Sequence, residues 1–177
     1  MDSLFFALQP DAAAAARAVA LATRLRADHG LKTPPTGAQR LHVTLHYLGR
    51  SGVLPEDLVA GARRAAQTLD SPAFGLSFDR VASFPARARK RPLVLLGSQA
   101  MQALQDFRFN LGIALRSHGV AAETGTFTPH LTLLRDTRVV PEQSVAPIAW
   151  TAREFVLVRS VIDTGQHLVL GRWPLQA

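Results

Sequence analysis

Cysteine is absent from the 177 residues. That excludes a disulfide framework, a thiol nucleophile and any thiolate-held zinc or iron–sulfur site, and it suits a reducing compartment. Lysine is almost absent too: only Lys32 and Lys90 occur, so 18 of the 20 basic side chains are arginine. Acids number 13, and no carboxylate cluster stands out that would hold a metal, so neither a metal nor another cofactor is expected. No uncharged apolar run approaches the roughly 18 residues of a bilayer span, so no membrane partner is expected. The opening Met1-Asp2-Ser3 carries an acid where a signal peptide carries positive charge. No targeting segment is therefore expected, and the expected location is the cytoplasm.

What is present is apolar and basic. Apolar residues make up 47%, enough for a real core in one domain or two small, tightly joined lobes. The formal charge is +7. Guanidinium offers a rigid two-pronged donor suited to phosphate, although a GC-rich coding bias also enriches Arg and Ala. Position adds information that composition lacks. Residues 80–91 hold Arg80, Arg87, Arg89, Lys90 and Arg91 with no acid, a local patch of the kind that attracts a polyanion.

Hydrophobic patterning alternates strands and helices. Residues 4–8 form a short apolar strand. Asp11 caps a helix that ends at Gly30, with Ala18, Leu21, Ala22 and Leu25 on one stripe. A Pro-rich connector precedes a strand at 41–48, and a helix follows from Pro55 to Leu69. Strands are expected at 74–84 and 92–96, with the basic window as an exposed hairpin loop between them. A helix over 99–118 turns Leu104, Phe107, Leu111, Ala114 and Leu115 inward and stops at Gly119. A strand follows at 127–134, and 148–162 with 167–173 read as a closing hairpin around Asp163-Thr164-Gly165. Without a regular parallel rhythm, the expected class is α+β, helices packed on antiparallel sheets.

One pattern repeats. Leu41-His42-Val43-Thr44-Leu45-His46 returns as Pro129-His130-Leu131-Thr132-Leu133-Leu134, 88 residues later. Side chains alternate along a strand, so His42 and Thr44 share one face, and His130 and Thr132 likewise. If the two strands meet, two imidazoles and two hydroxyls converge. In-line displacement at phosphorus needs a proton acceptor on one side and a donor on the other, and imidazole serves as either near neutrality. The hydroxyls can hold non-bridging oxygens. Chemistry alone does not say which histidine is the acid.

These residues resemble the 2H phosphoesterase superfamily, in particular its RNA 2′,3′-cyclic phosphodiesterase (2′-5′ RNA ligase, LigT-like) branch. The resemblance is carried by His42-Val43-Thr44-Leu45-His46-Tyr47-Leu48-Gly49 and Phe127-Thr128-Pro129-His130-Leu131-Thr132-Leu133-Leu134-Arg135. Residues 4–8 and 154–160 add to it. It implies a bilobal α+β fold, two pseudo-symmetric antiparallel sheets with outer helices and a central cleft. Residues 1–177 would form a single domain of two intertwined lobes, and a monomer is expected. It further implies metal-independent opening of RNA 2′,3′-cyclic phosphate ends to 2′-phosphates, with weak reversible 2′-5′ ligation. His42 would be the proton donor and His130 the acceptor, with Thr44, Thr132 and Arg135 binding phosphate. A non-catalytic RNA-binding module and an enzyme for small cyclic phosphates or 2′-5′ oligoadenylate are the alternatives.

Other residues carry weaker expectations. Strict alternation places Arg135 with Leu131 and Leu133, so the strand must twist or end for Arg135 to reach a cleft. Phe127 either stacks on a base or packs in the core. Tyr47 has core parity, whereas His46 shares the face of His42 and is read as accessory or structural. His29 and His118 sit in last helical turns, where the helix dipole favours them. His167 has no evident partner. Residues 31–40 hold no aromatic, where many members of the family carry one, so the base-stacking residue is not identified.

Overall fold

The computed structural model describes residues 1–177. Eight strands and three α-helices follow in the order β1 (Asp2–Leu8), α1 (Ala12–Asp28), β2 (Val43–Ser51), α2 (Glu56–Gln67), β3 (Phe74–Ser83), β4 (Arg91–Leu96), α3 (Gln102–Ser117), β5 (His130–Asp136), β6 (Gln143–Ala152), β7 (Glu154–Val161) and β8 (Gln166–Pro174). A 3-10 turn at Ala38–Arg40 leads into β2. The Asp11 carboxylate accepts from the Ala14 N–H at 2.8 Å and starts α1. Gly30 and Gly119, at φ 60° and 75°, end α1 and α3 in the left-handed conformation that glycine adopts without steric cost.

The strands form two four-stranded antiparallel sheets, ordered β2-β1-β7-β8 and β5-β4-β3-β6. Each sheet carries one histidine–threonine strand at its edge, β2 in the first and β5 in the second. The lobes interlock. Helix α1 leaves the first sheet and packs on β5 and β6 of the second, whereas α3 touches β3 of its own sheet and β2 of the other. One apolar cluster draws on both sheets, including Leu4, Phe6 and Phe155 from the first and Phe78, Leu95 and Leu131 from the second.

The element order follows the sequence closely, with one difference that matters to topology. Residues 148–162 are not one arm of a hairpin. The chain changes sheets at Arg153, so β6 pairs with β3 while β7 pairs with β1 and β8. The burial pattern explains the break. Ile148, Trp150 and Ala152 are buried in alternation, as on a strand with one covered face. Phe155, Val156, Leu157 and Val158 are buried consecutively, as on a central strand covered on both faces.

Candidate active site

Both repeated strands depart from simple alternation at the same place. In the β1–β2 ladder Phe6 lies opposite His46 and Ala7 opposite Thr44, leaving Leu45 without a partner. In the β4–β5 ladder Leu93 lies opposite Leu134 and Val94 opposite Thr132, leaving Leu133 without one. Each is a β-bulge, an extra residue that reverses the side-chain parity beyond it. Leu45 and His46 therefore both face the interior, as do Leu133 and Leu134. Tyr47 and Arg135 are turned back to the face of the histidines and threonines, and both line the cleft.

This corrects two expectations. Tyr47 is not a core residue; it is 43% exposed. His46 does not share the face of His42; it is 2% exposed, and its Nε2–H donates to the Arg108 carbonyl at 2.8 Å, in keeping with the structural role read for it. The bulge also resolves how Arg135 reaches the cleft.

A bulge removes a carbonyl from the ladder, and buried carbonyls need donors. The connector supplies one: the Thr36 N–H donates to the Leu133 carbonyl at 2.7 Å. The guanidinium of Arg108 supplies the other, its Nε–H donating to the Leu45 carbonyl at 3.0 Å. Arg108 is 9% exposed. The sequence reading missed it, although the signal was present: an arginine between Leu104 and Leu111 on the apolar stripe of α3.

The cleft between the lobes has a volume of about 300 Å³. It is lined by His42, Thr44, His130, Thr132 and Arg135, together with Arg40, Tyr47, His167, Phe5, Ser3, Ser160 and Thr36. No carboxylate lines it. Its two histidines are held alike. His42 Nδ1 lies 2.7 Å from the Arg40 carbonyl, and His130 Nδ1 lies 2.9 Å from the Thr128 carbonyl. A carbonyl only accepts, so each Nδ1 carries the hydrogen and each Nε2 is left free for chemistry.

Surroundings differ between the two rings. The His42 imidazole stacks on Phe5 at 4.9 Å and meets the edge of His167 at 5.3 Å. The His130 ring is tilted against Phe84 at 5.0 Å. Burial pushes the His42 pKa below the usual imidazole value, and the positive charges of His130 and Arg40 push the same way, opposed by the bond to the Arg40 carbonyl. His167 is pushed down to about 4 by burial, then by His42 and Arg40. It is therefore a neutral third ring in the cleft at neutral pH, a neighbour of His42 that sequence spacing did not reveal.

Phe127 does not come to the cleft. The Arg108 guanidinium lies 4.6 Å from its ring centroid, and the ring packs partly buried against the core. Of the basic window, Arg80 is withdrawn into β3 and paired with Glu142 at 2.6 Å. His118 bonds the Ala114 carbonyl through Nδ1 at 2.9 Å, a helix-end role as expected. No helix is long and apolar enough to cross a membrane.

Two interlocked antiparallel sheets presenting paired histidine–threonine strands to one cleft define a 2H phosphoesterase fold. The profile of the 2′-5′ RNA ligase superfamily matches residues 10–163, and the chain belongs to that superfamily. Solved structures agree over almost the full length. A crystal structure of a phosphoesterase superposes with a TM-score of 0.79 at 26% identity, covering 99% of both chains. Escherichia coli LigT complexed with 3′-AMP gives 0.75 at 27% identity, again over 99% of both chains. TT0787 of Thermus thermophilus gives 0.73 at 25% identity, over 99% of this chain and 98% of that one. No curated protein matches the sequence.

Proposed function

We propose that this chain hydrolyses the 2′,3′-cyclic phosphate at RNA ends to a 2′-phosphate, without a metal. Water attacks phosphorus in line with the bond to the 3′ oxygen. His130 Nε2 takes the water's proton as the new P–O bond forms. His42 Nε2 gives a proton to the 3′ oxygen as its bond to phosphorus breaks, leaving a 3′-hydroxyl. Thr44 and Thr132 donate hydrogen bonds to the non-bridging oxygens, and Arg135 neutralises their charge. With the 5′-hydroxyl of a second strand attacking the cyclic phosphate in place of water, the same groups form a P–O5′ bond as the bond to the 3′ oxygen breaks, giving weak 2′-5′ ligation that the same acid and base reverse.

The observation that carries this reading is the matched anchoring of two imidazoles in one acid-free cleft, each Nδ1 fixed to a carbonyl two residues upstream. Complex formation between E. coli LigT and 3′-AMP supports a nucleotide occupant. The test is turnover of an oligonucleotide ending in a 2′,3′-cyclic phosphate. His42→Ala and His130→Ala are each expected to lower kcat by about 10²–10⁴-fold, the usual worth of one positioned proton-transfer group, with the fold retained. Wild-type turnover is expected to persist in EDTA. Full activity in either variant would overturn the assignment.

A further inference from the structure

The cleft accounts for one phosphate, but the positive charge of this chain extends beyond it. Arg87, Arg89 and Lys90 in the turn between β3 and β4, and Arg91 at the start of β4, are all exposed. None of them forms an ion pair; the chain's carboxylate pairs are with Met1, Arg80, Arg159 and Arg172. The nearest acid by ladder position, Asp136 opposite Arg91, is buried and spends its oxygens on backbone N–H groups of Lys32, Thr33 and Arg138. The four charges are therefore unneutralised.

Register joins this turn to the cleft. Arg135, a cleft residue, lies directly opposite Pro92 in the β4–β5 ladder, one residue from Arg91. Lys90 Nζ lies 3.4 Å from Thr33 Oγ1, so the turn also touches the connector that runs on to the cleft residues Thr36 and Arg40. Phe84, which opens the turn, has its ring against His130. The unpaired cations of residues 87–91 thus sit on a turn and strand start that adjoin the cleft through Arg135, Thr33 and the Phe84–His130 contact.

We infer that residues 87–91 form a track for the phosphate backbone of the RNA strand upstream of the reacting end, so that the substrate class is an oligonucleotide rather than a free cyclic nucleotide. The inference rests on the proposed function for its reacting end, but the track makes a separate claim. Backbone contacts by exposed cations are sequence-independent and release counterions, so they weaken steeply with salt. For single strands the slope is about 0.7 per phosphate contacted. Two to four contacts then mean a loss of about 7- to 50-fold in affinity between 50 and 200 mM salt.

The experiment compares adenosine 2′,3′-cyclic phosphate with a twelve-residue RNA ending in the same cyclic nucleotide. Wild-type enzyme is expected to show a lower KM for the oligonucleotide, with the steep salt slope confined to it. Replacing Arg87, Arg89, Lys90 and Arg91 together by Ala should raise the oligonucleotide KM towards the mononucleotide value and leave mononucleotide turnover unchanged. A variant with Lys at the three arginine positions should retain the length preference and the salt slope, since the contact is one of charge. Equal salt slopes on both substrates, or equal effects of the Ala variant on both, would overturn the track. Fluorescence anisotropy with the same RNA carrying a 3′-phosphate reads binding alone. If neither cyclic substrate turns over yet the Ala variant loses this binding, the hydrolase reading fails while the track stands.

Discussion

His42 is the residue whose chemistry is most constrained by its surroundings. Packed between Phe5 and His167, it loses hydration that would stabilise its cation. In its proposed role of proton donor, His42 must be charged to act, so a depressed pKa has a visible consequence. In the free enzyme, kcat/KM is expected to fall with rising pH from below 6.5, the ordinary imidazole value. Bound phosphate opposes this shift by holding the proton with its negative charge. The corresponding limb of kcat is therefore expected to lie at higher pH. Parallel pH profiles of kcat and kcat/KM check this; coincident limbs would mean that His42 is not the group whose proton is lost. His167, held near 4, is neutral across that range and adds no titration of its own.

At the scale of elements, the two bulges do what alternation alone cannot. Each places an adjacent pair of apolar or buried side chains inward, then returns a polar one to the cleft. The bulge in β5 depends on the connector, because Thr36 satisfies the Leu133 carbonyl, and the connector in turn depends on Asp136. Hydrogen bonds from the N–H groups of Arg138, Thr33 and Lys32 hold the Asp136 carboxyl far below the usual carboxylate range. A depressed folded pKa means that the ionised form is preferred in the native state. Its contribution is complete above the unfolded value near 3.8 and is lost as pH falls through the folded one. Asp136→Ala is expected to lower Tm by several degrees at neutral pH and by progressively less below pH 3.8, as acid removes the charge from the wild type as well. Thermal melts across that range check it; a deficit independent of pH would assign the loss to packing instead.

At the scale of the whole molecule, the two lobes cannot be separated without exposing apolar surface. The main apolar cluster belongs to both sheets, and α1 and α3 each pack on a sheet other than the one they leave or enter. Cooperative unfolding as one unit is the expected behaviour. The chain supplies its own probes. Trp150 lies in β6 of the second sheet, stacked on Phe78 at 5.3 Å. Trp173 lies in β8 of the first, stacked on Phe155 at 5.5 Å. The single-tryptophan variants W150F and W173F should give urea curves whose fluorescence midpoint coincides with that from far-UV circular dichroism in the same variant. Within either variant, a fluorescence midpoint displaced from the dichroism midpoint would show lobes that unfold independently.

Much of this architecture was legible in the chain. Local rules, which act over a few residues, gave the helices capped at Asp11 and stopped at Gly30 and Gly119, and the apolar stripe of α3. They also gave the shared face of His42 with Thr44 and of His130 with Thr132, because period-two alternation holds over three residues. Alternation failed two residues later, at His46 and Leu134. A bulge is set by the partner strand's register and by donors that arrive from elsewhere, here Thr36 and Arg108, so nothing within β2 or β5 announces it. For the same reason Tyr47, His46 and Phe127 were placed only by contacts distant in sequence, as was the pairing of His167 with His42. The sequence by itself determined which chemical groups were available and that they came in two matching sets. Tertiary structure decided which of them share a hollow, because convergence depends on long-range packing that no local pattern encodes.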